Sequence, residues 1–354
     1  MKHLSALAAV VAVLIPAVPH AAPAAPAVAP EFAGMQTAAD LVVARRGFRG
    51  VALVLDQGRE VWRYQSGTRD CAGKDPLDPG DRFDMGSIVK VFTATTILKL
   101  VEQGRLSLDD RLGDRLPGVP ADKASITIRQ LITHSSGLVD SLGEDETYIS
   151  KSDLLAQAFA TPLLFAPGEG EEYSNVGYSV LAAIIEKVTG KPYERALRDL
   201  VLRPAGVTSI GYTNRWPKSR QVCGILDGAA WGAVTDYFDR RGPSWHLVGN
   251  GGLQTTPSDL ANWLEALWAG KLLNPADTAF MKDKLSRQDR SVPKRRTYGT
   301  NGSNRIFSSY YEYWPDQRMA FLLMTDDSHA PKEYVVAYFD PALDAIMDAR
   351  DARR

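Results

Sequence analysis

Cysteine is nearly absent: Cys71 and Cys223 are the only two in 354 residues. Neither belongs to a Cys-x-x-Cys pair, which excludes a zinc knuckle and a thioredoxin-like redox centre. In an oxidising compartment the two can pair, and as free buried thiols they behave as small apolar residues. Their spacing does not choose between these outcomes. Histidine is as scarce. Beyond the first 24 residues only His134, His246 and His329 remain, without His-x-His or His-Glu-x-x-His spacing, so no metal and no other cofactor is expected. Neither sign of charge is in excess: 41 Lys+Arg face 42 Asp+Glu, a formal net charge of -1, with no Lys/Arg block. That balance argues against a nucleic-acid partner and leaves a small molecule or a peptide. Long apolar runs are missing too. Leu4 to Val18 is broken by Pro16 and is short for a bilayer span, so no stable membrane anchor is expected. A Gly-x-Ser-x-Gly elbow and a Gly-x-x-x-x-Gly-Lys-Ser/Thr loop are both lacking, which speaks against the common serine-esterase fold and against nucleotide hydrolysis.

What is present is an ordinary globular composition, 45% hydrophobic and 23% charged, enough to bury a sizeable core. Met1-Lys2-His3, the short apolar run and the following small residues read as a secretory signal over residues 1–24, cleaved between Ala21 and Ala24. Residues 25–34 then form a disordered Ala/Pro-rich leader. Export to the periplasm or the medium follows, without a lipid anchor, since no cysteine precedes Cys71.

No repeat or linker divides residues 35–354, which read as a single domain. A helical stretch from Thr37 to Arg46 precedes the alternating segments Val51 to Asp56 and Glu60 to Tyr64, a hairpin around Gln57-Gly58. From Ser87 to about Leu267 the signals are helical. Thr127 with Gln130 forms a capping box before Gly137, and Thr256-Pro257-Ser258-Asp259 opens a further helix. Strands return after Tyr298, in Ser308 to Trp314 and Met319 to Thr325 about Pro315-Asp316, and Tyr334 to Ala349 closes the chain as a helix. Tyr310, Tyr311, Tyr313 and Trp314 either line a cleft or alternate on the two faces of a strand. The distribution predicts an α+β protein: an antiparallel sheet built from both chain ends (about 35–86 and 290–354), flanking helices, and an inserted helical lobe (about 87–289) with a cleft between.

Ser87-Ile-Val-Lys90 opens the first strongly amphipathic helix. Side chains three apart share a helix face, and the helix N-terminus surrounds the hydroxyl with free N–H groups, so Lys90 and the dipole can help deprotonate Ser87. A second Ser-x-x-Lys, Ser291 to Lys294, contains Pro293, which does not suit a helix interior. Tyr173-Ser-Asn175 precedes another helix, and in extended backbone residues two apart point the same way. Tyr173 would then offer a phenol for proton transfer, while Asn175 donates its amide to a substrate carbonyl or presents its carbonyl to Lys90. Tyr212-Thr-Asn214 repeats the three-residue pattern. His134 is read as a structural residue of its turn.

The ordered set Phe83-Asp-Met-Gly-Ser-Ile-Val-Lys90, Leu106-Ser-Leu-Asp-Asp110, Ile128 to Leu138, Pro167-Gly168, Tyr173-Ser-Asn-Val-Gly-Tyr178, Arg203-Pro-Ala-Gly206 and Gly249-Asn-Gly-Gly-Leu253 resembles the serine β-lactamase and penicillin-binding-protein superfamily. Within it, the likeness is to the branch of class C β-lactamases, D-Ala-D-Ala carboxypeptidases and related esterases, over about residues 36 to 345. The resemblance implies a β-lactamase/transpeptidase-like fold, Ser87 as acylated nucleophile, Lys90 and Tyr173 as the proton-transfer pair, and Asn175 as a substrate-amide and lysine-orienting group. It places the third family motif at Thr300-Asn301-Gly302, followed by Ser303, with the N–H groups of Ser87 and Ser303 as an oxyanion hole. Where that motif carries Lys or His this chain has Thr300, so the cation near a substrate carboxylate is missing unless Arg305, Arg290, Arg295 or Arg296 replaces it. The implied activity is that of a serine hydrolase on an ester, an amide, or a β-lactam or peptidoglycan-like substrate. The competing reading is a non-catalytic protein that binds peptidoglycan fragments or β-lactams.

Overall fold

The computed structural model describes residues 29–212, 218–233, 236, 241–286, 295–326 and 331–353. Signal residues 1–24, the Ser291 to Lys294 pattern, Asn214, Arg290 and His329 lie outside them. Helix α1 (Ala33–Arg46) leads into strands β1 (Gly50–Asp56) and β2 (Arg59–Ser66). Between these strands Gln57 and Gly58 both take positive φ, 52° and 80°, the geometry that two-residue hairpins favour. The later strands are β3 (Tyr298–Ser303), β4 (Ser308–Trp314) and β5 (Met319–Thr325). They form one antiparallel sheet in the order β2-β1-β5-β4-β3. Gly50 faces Thr325 and Asp56 faces Met319, so β1 is zipped to β5 along its whole length and the two chain ends share the sheet.

Alternation along the strands divides the apolar side chains between two cores. Val51, Leu53 and Leu55 of β1, with Ala320, Leu322 and Met324 of β5, face the helical lobe. Ala52 and Val54, with Met319, Phe321 and Leu323, face α1 and the C-terminal helix. The aromatic run of β4 divides in the same way: Tyr311 and Tyr313 belong to the first core, Tyr310 and Trp314 to the second. On the lobe side lie α2 (Val89–Glu102), α3 (Asn175–Thr189) and α4 (Pro257–Trp268), with Phe92 of α2 stacked on Trp263 of α4 at 3.7 Å between ring centroids. The other face is closed by α5 (Asp340–Asp351), which a short π-helical stretch, Val335–Phe339, joins to Pro331–Tyr334.

Three details differ from the sequence expectations. The leader expected to stay disordered to residue 34 is ordered from Pro30, where a 3-10 turn carries Phe32 into the second core, at 1% exposure. Burial of that one large ring outweighs the Ala/Pro composition around it. The Thr127 capping box forms with Gln130, but its helix stops at Ile132, well before Gly137, and leaves His134 in a left-handed conformation at φ 59°. Two short antiparallel ladders were not expected: Phe83–Asp84 with Gln254–Thr255, and Gly224–Leu226 with Ala229–Gly232. Cys71 and Cys223 form a disulfide, with Cα atoms 5.2 Å apart.

Candidate active site

Ser87 lies in the 3-10 turn Gly86–Ile88 that starts α2, where the edge strand β3 meets the helical lobe. The approach of strand to turn is backbone to backbone. A Cβ on Gly86, whose φ is +55°, would fall 2.6 Å from Ser303 N, and one on Gly302 would fall 2.4 Å from Met85 O and 2.6 Å from Ser87 N. Glycine at both positions is what allows the Ser87 and Ser303 amides to lie side by side.

Four side chains expected from the sequence meet here. Tyr173 OH donates to Ser87 Oγ at 2.7 Å, and Lys90 Nζ donates to the same oxygen at 3.1 Å. Lys90 is 5% exposed and also donates to Asn175 Oδ1 at 2.6 Å and to the Asn250 carbonyl at 3.1 Å. Three acceptors match the three N–H bonds of an ammonium, and the faces of Tyr173 and Tyr178, 4.7 and 5.7 Å away, add cation-π attraction. Asn175 therefore presents its carbonyl to the lysine. Its Nδ2 donates to Asp140 Oδ1 at 2.9 Å, which fixes the orientation of the amide.

Tyr173 and Asn175 reach the serine because Ser174, between them, is extended and caps α3 by accepting from Gly177 N. The Ser174 N–H donates to His134 Nδ1 at 3.0 Å, and the His134 ring stacks on Tyr173 with centroids 4.7 Å apart. His134 is thus structural, and what it supports is the phenol. The sequence did not single out Asp140 or Asn250. Asn250 fastens the lobe from its own loop, donating Nδ2 to Ser179 Oγ at 2.9 Å and to His246 O at 2.7 Å. Only the Gly249-Asn250-Gly251-Gly252 cluster signalled an unusual backbone there.

The third motif is placed unevenly. Ser303 lines the cavity over Ser87 and Gly302 seals the turn, whereas Thr300 is buried at 7% exposure and Asn301 is exposed. Neither Thr300 nor Asn301 lines that cavity. Among the arginines offered as replacement cations, Arg295 is held by Asp344, Asp348 and Asp351 of α5, and Arg296 lies near Lys282. Arg305 does line the cavity, where Glu146 Oε1 stands 3.9 Å from its guanidinium. Tyr212, from the repeated Tyr-Thr-Asn pattern, is a core residue whose hydroxyl accepts from Gly249 N.

The cavity measures about 350 Å³ and is bordered by Asp84, Glu144, Asp145 and Glu146 as well as Ser87 and Asn175. Burial, with the nearby charge of Asp145, raises the Asp84 carboxyl to about 7, although Gly86 N donates to its Oδ1. Asp145 lies at the accessible rim, yet the surrounding protein mass and then the Glu146 charge raise it to about 6, with the Lys90 charge acting in the opposite direction. Among the described residues no His/Cys/Asp/Glu group has a metal-holding arrangement.

Comparison with known proteins places this geometry in context. The family model described as Beta-lactamase matches residues 35–342. A penicillin-binding protein of Bacillus subtilis (strain 168) is 28% identical over 275 residues, 71% of this chain and 60% of the relative. Esterase EstB of Burkholderia gladioli is 31% identical over 194 residues, 49% of each chain. The chain spans between 45% and 60% of the length of the first curated relatives it matches. Among solved structures, D-amino acid amidase from Ochrobactrum anthropi SV3 superposes with a TM-score of 0.77 at 26% identity, over 91% of this chain and 100% of that one.

Proposed function

The chain belongs to the beta-lactamase family and has its β-lactamase/transpeptidase-like fold, and we propose that it is an exported serine hydrolase acting through an acyl-enzyme on Ser87. The observation that carries this reading is the convergence of Tyr173 OH and Lys90 Nζ on one serine oxygen at the mouth of a cavity. With its three N–H bonds directed at three acceptors, Lys90 acts as a fixed cation, and Tyr173, once it has given up its own proton, acts as the base along the same contact through which its phenol donates to Ser87 Oγ. Ser87 Oγ attacks the acyl carbon and its proton passes to Tyr173. The carbonyl oxygen, now negative, is held by the amides of Ser87 and Ser303. Collapse returns the proton from Tyr173 to the departing alcohol or amine and leaves the acyl group on Ser87. Water then repeats the sequence and releases the acid.

Esters and amides suit the site better than substrates recognised by a carboxylate. Thr300 supplies no charge where the family motif has a cation, and Glu146 offsets the Arg305 guanidinium. The relatives include an esterase, an amidase and a penicillin-binding protein, in keeping with an acyl-transfer site of adjustable specificity. The substrate we infer is a small molecule or a peptide, peptidoglycan among its sources. The second reading, a non-catalytic binder of peptidoglycan fragments or β-lactams, draws on Thr300 alone, and it leaves the joined serine, lysine and tyrosine without a use. Export draws on the signal pattern of residues 1–24 and on the Cys71–Cys223 disulfide, which suits an oxidising compartment. Among the described residues no helix is long and apolar enough to cross a membrane.

Hydrolysis of a chromogenic acetate ester, followed beside intact mass after incubation with a reactive penicillin, tests the proposal. Turnover by the parent and none by Ser87→Ala is the expected result, and the lifetime of any penicilloyl adduct separates a lactamase from a slowly deacylating peptidase. A folded parent that neither turns over the ester nor forms an adduct would sink the hydrolase reading.

A further inference from the structure

The cavity over Ser87 has an acidic wall that the proposed acyl transfer does not use. Glu144, Asp145 and Glu146 follow one another on one loop, and Asp84 joins them from the short ladder just before the nucleophile. Arg305 faces them, but its charge lies against Glu146, at 3.9 Å, which leaves the charges of Glu144 and Asp145, with the Asp84 carboxyl beside them. Asp84 is 1% exposed. One of its oxygens accepts from Gly86 N and the other, Oδ2, is buried with no hydrogen-bond partner among the described residues. A buried carboxyl oxygen without a donor is costly, and Asp84 is among the residues that line the cavity. Lys90 is the cation nearest the nucleophile, and its three N–H bonds are directed at Ser87, Asn175 and Asn250.

We propose that this wall is a subsite for a protonated amine, so that the preferred substrates are esters or amides carrying a free ammonium within a few atoms of the scissile bond. The inference rests on the hydrolase reading of Ser87 and names its substrate class. An ammonium gives up to three N–H donors to surrounding carboxyl oxygens, and the concave setting strengthens the attraction over that of an open surface. A substrate carboxylate meets the same wall as repulsion.

Isosteric ester pairs that differ only in charge test it. On the acyl side the pair is alanine benzyl ester against benzyl isobutyrate. On the alcohol side it is 2-(dimethylamino)ethyl butyrate, protonated at neutral pH, against 3-methylbutyl butyrate, and the benzyl half-ester of methylmalonate supplies the anion. In at least one pair the cation should be preferred at least tenfold in kcat/KM, with the anion slowest of all. The double variant Glu144→Gln, Asp145→Asn should cut that preference at least fivefold, and raised salt should reduce it in the parent. Turnover of the neutral esters with no preference for either cation would overturn the subsite and leave the hydrolase reading standing. Absence of all turnover, with no Ser87 adduct from an alkyl fluorophosphonate, would instead remove the hydrolase reading. If Ser87 is labelled but no ester is turned over, the comparison moves to the labelling rates of an aminoalkyl and an isosteric alkyl fluorophosphonate. Equal rates would then overturn the subsite, and a tenfold faster aminoalkyl probe would support it.

Discussion

Strand β5 at the centre of the sheet and strand β3 at its edge solve opposite problems. Every side chain of β5, Met-Ala-Phe-Leu-Leu-Met-Thr, is buried, and its residues alternate between two apolar cores. The sequence of β3 is Tyr-Gly-Thr-Asn-Gly-Ser, and past Tyr298, which stacks on Trp268, it has little side chain to bury. What β3 contributes is backbone, drawn to within touching distance of the Ser87 turn because Gly302 and Gly86 are bare. Within the sheet, burial is concentrated in β5, where side chains are large, and close approach to the Ser87 turn in β3, where they are small.

Substitutions chosen along this contrast should separate the two roles. The largest loss of stability belongs to the centre: Leu322→Ala, from full burial, should cost about 2–5 kcal/mol in denaturant unfolding, with the folded fraction keeping whatever ester turnover the parent shows. At the edge, Gly302→Ala should lower kcat/KM on a neutral ester by about 100-fold, because its Cβ would displace the Ser87 amide from the proposed oxyanion position. Its unfolding midpoint should fall by less than that of Leu322→Ala. Equal losses of stability in the two variants would erase the contrast.

Between these extremes lies Asp84, buried beside the site in a ladder of its own. Its folded carboxyl titrates near 7, above the ordinary carboxylate range, so the folded state holds a proton that the unfolded chain has already lost. Stability from this group is complete at acid pH and declines as pH rises from about 4 through 7. Asp84→Asn should therefore gain on the parent by about a few kcal/mol between pH 4 and pH 8, read from thermal melts across that range. A constant difference at all pH values would show that the carboxyl titrates alike in the folded and unfolded chain and is not raised by burial. The smallest effect is expected at Asn301, on the exposed side of β3, where Ala should change stability by about 0.5 kcal/mol or less.

The same contrast explains what could be read from the sequence. Large alternating side chains announce themselves, so β1, β4 and β5, and with them the sheet shared by the chain ends, were legible, as were the Thr127 and Thr256 caps. Ser87, Lys90, Tyr173 and Asn175 were legible because each sits at a fixed spacing beside a helix start. Asp140 and Asn250 were not. They act on residues 35 and 160 positions away, Asp140 through a side-chain oxygen and Asn250 toward Lys90 through its main-chain carbonyl, and neither contact leaves a local pattern. Offsetting of Arg305 by Glu146 likewise needs two loops brought together by the fold. Composition misled at Pro30 to Ala33, where one buried phenylalanine decides the outcome.

The disulfide makes a closed ring of residues 71 to 223, with a sequence separation of 152. Ser87, Lys90, Tyr173 and Asn175 all lie inside the ring, whereas Asn250 and Ser303 act on it from outside. A protease that cuts the main chain once within the ring still leaves a single covalent molecule, one band on a non-reducing gel and two after reduction. Ser87 and the Tyr173 phenol bonded to it thus stay tethered through a break that would otherwise let them drift apart.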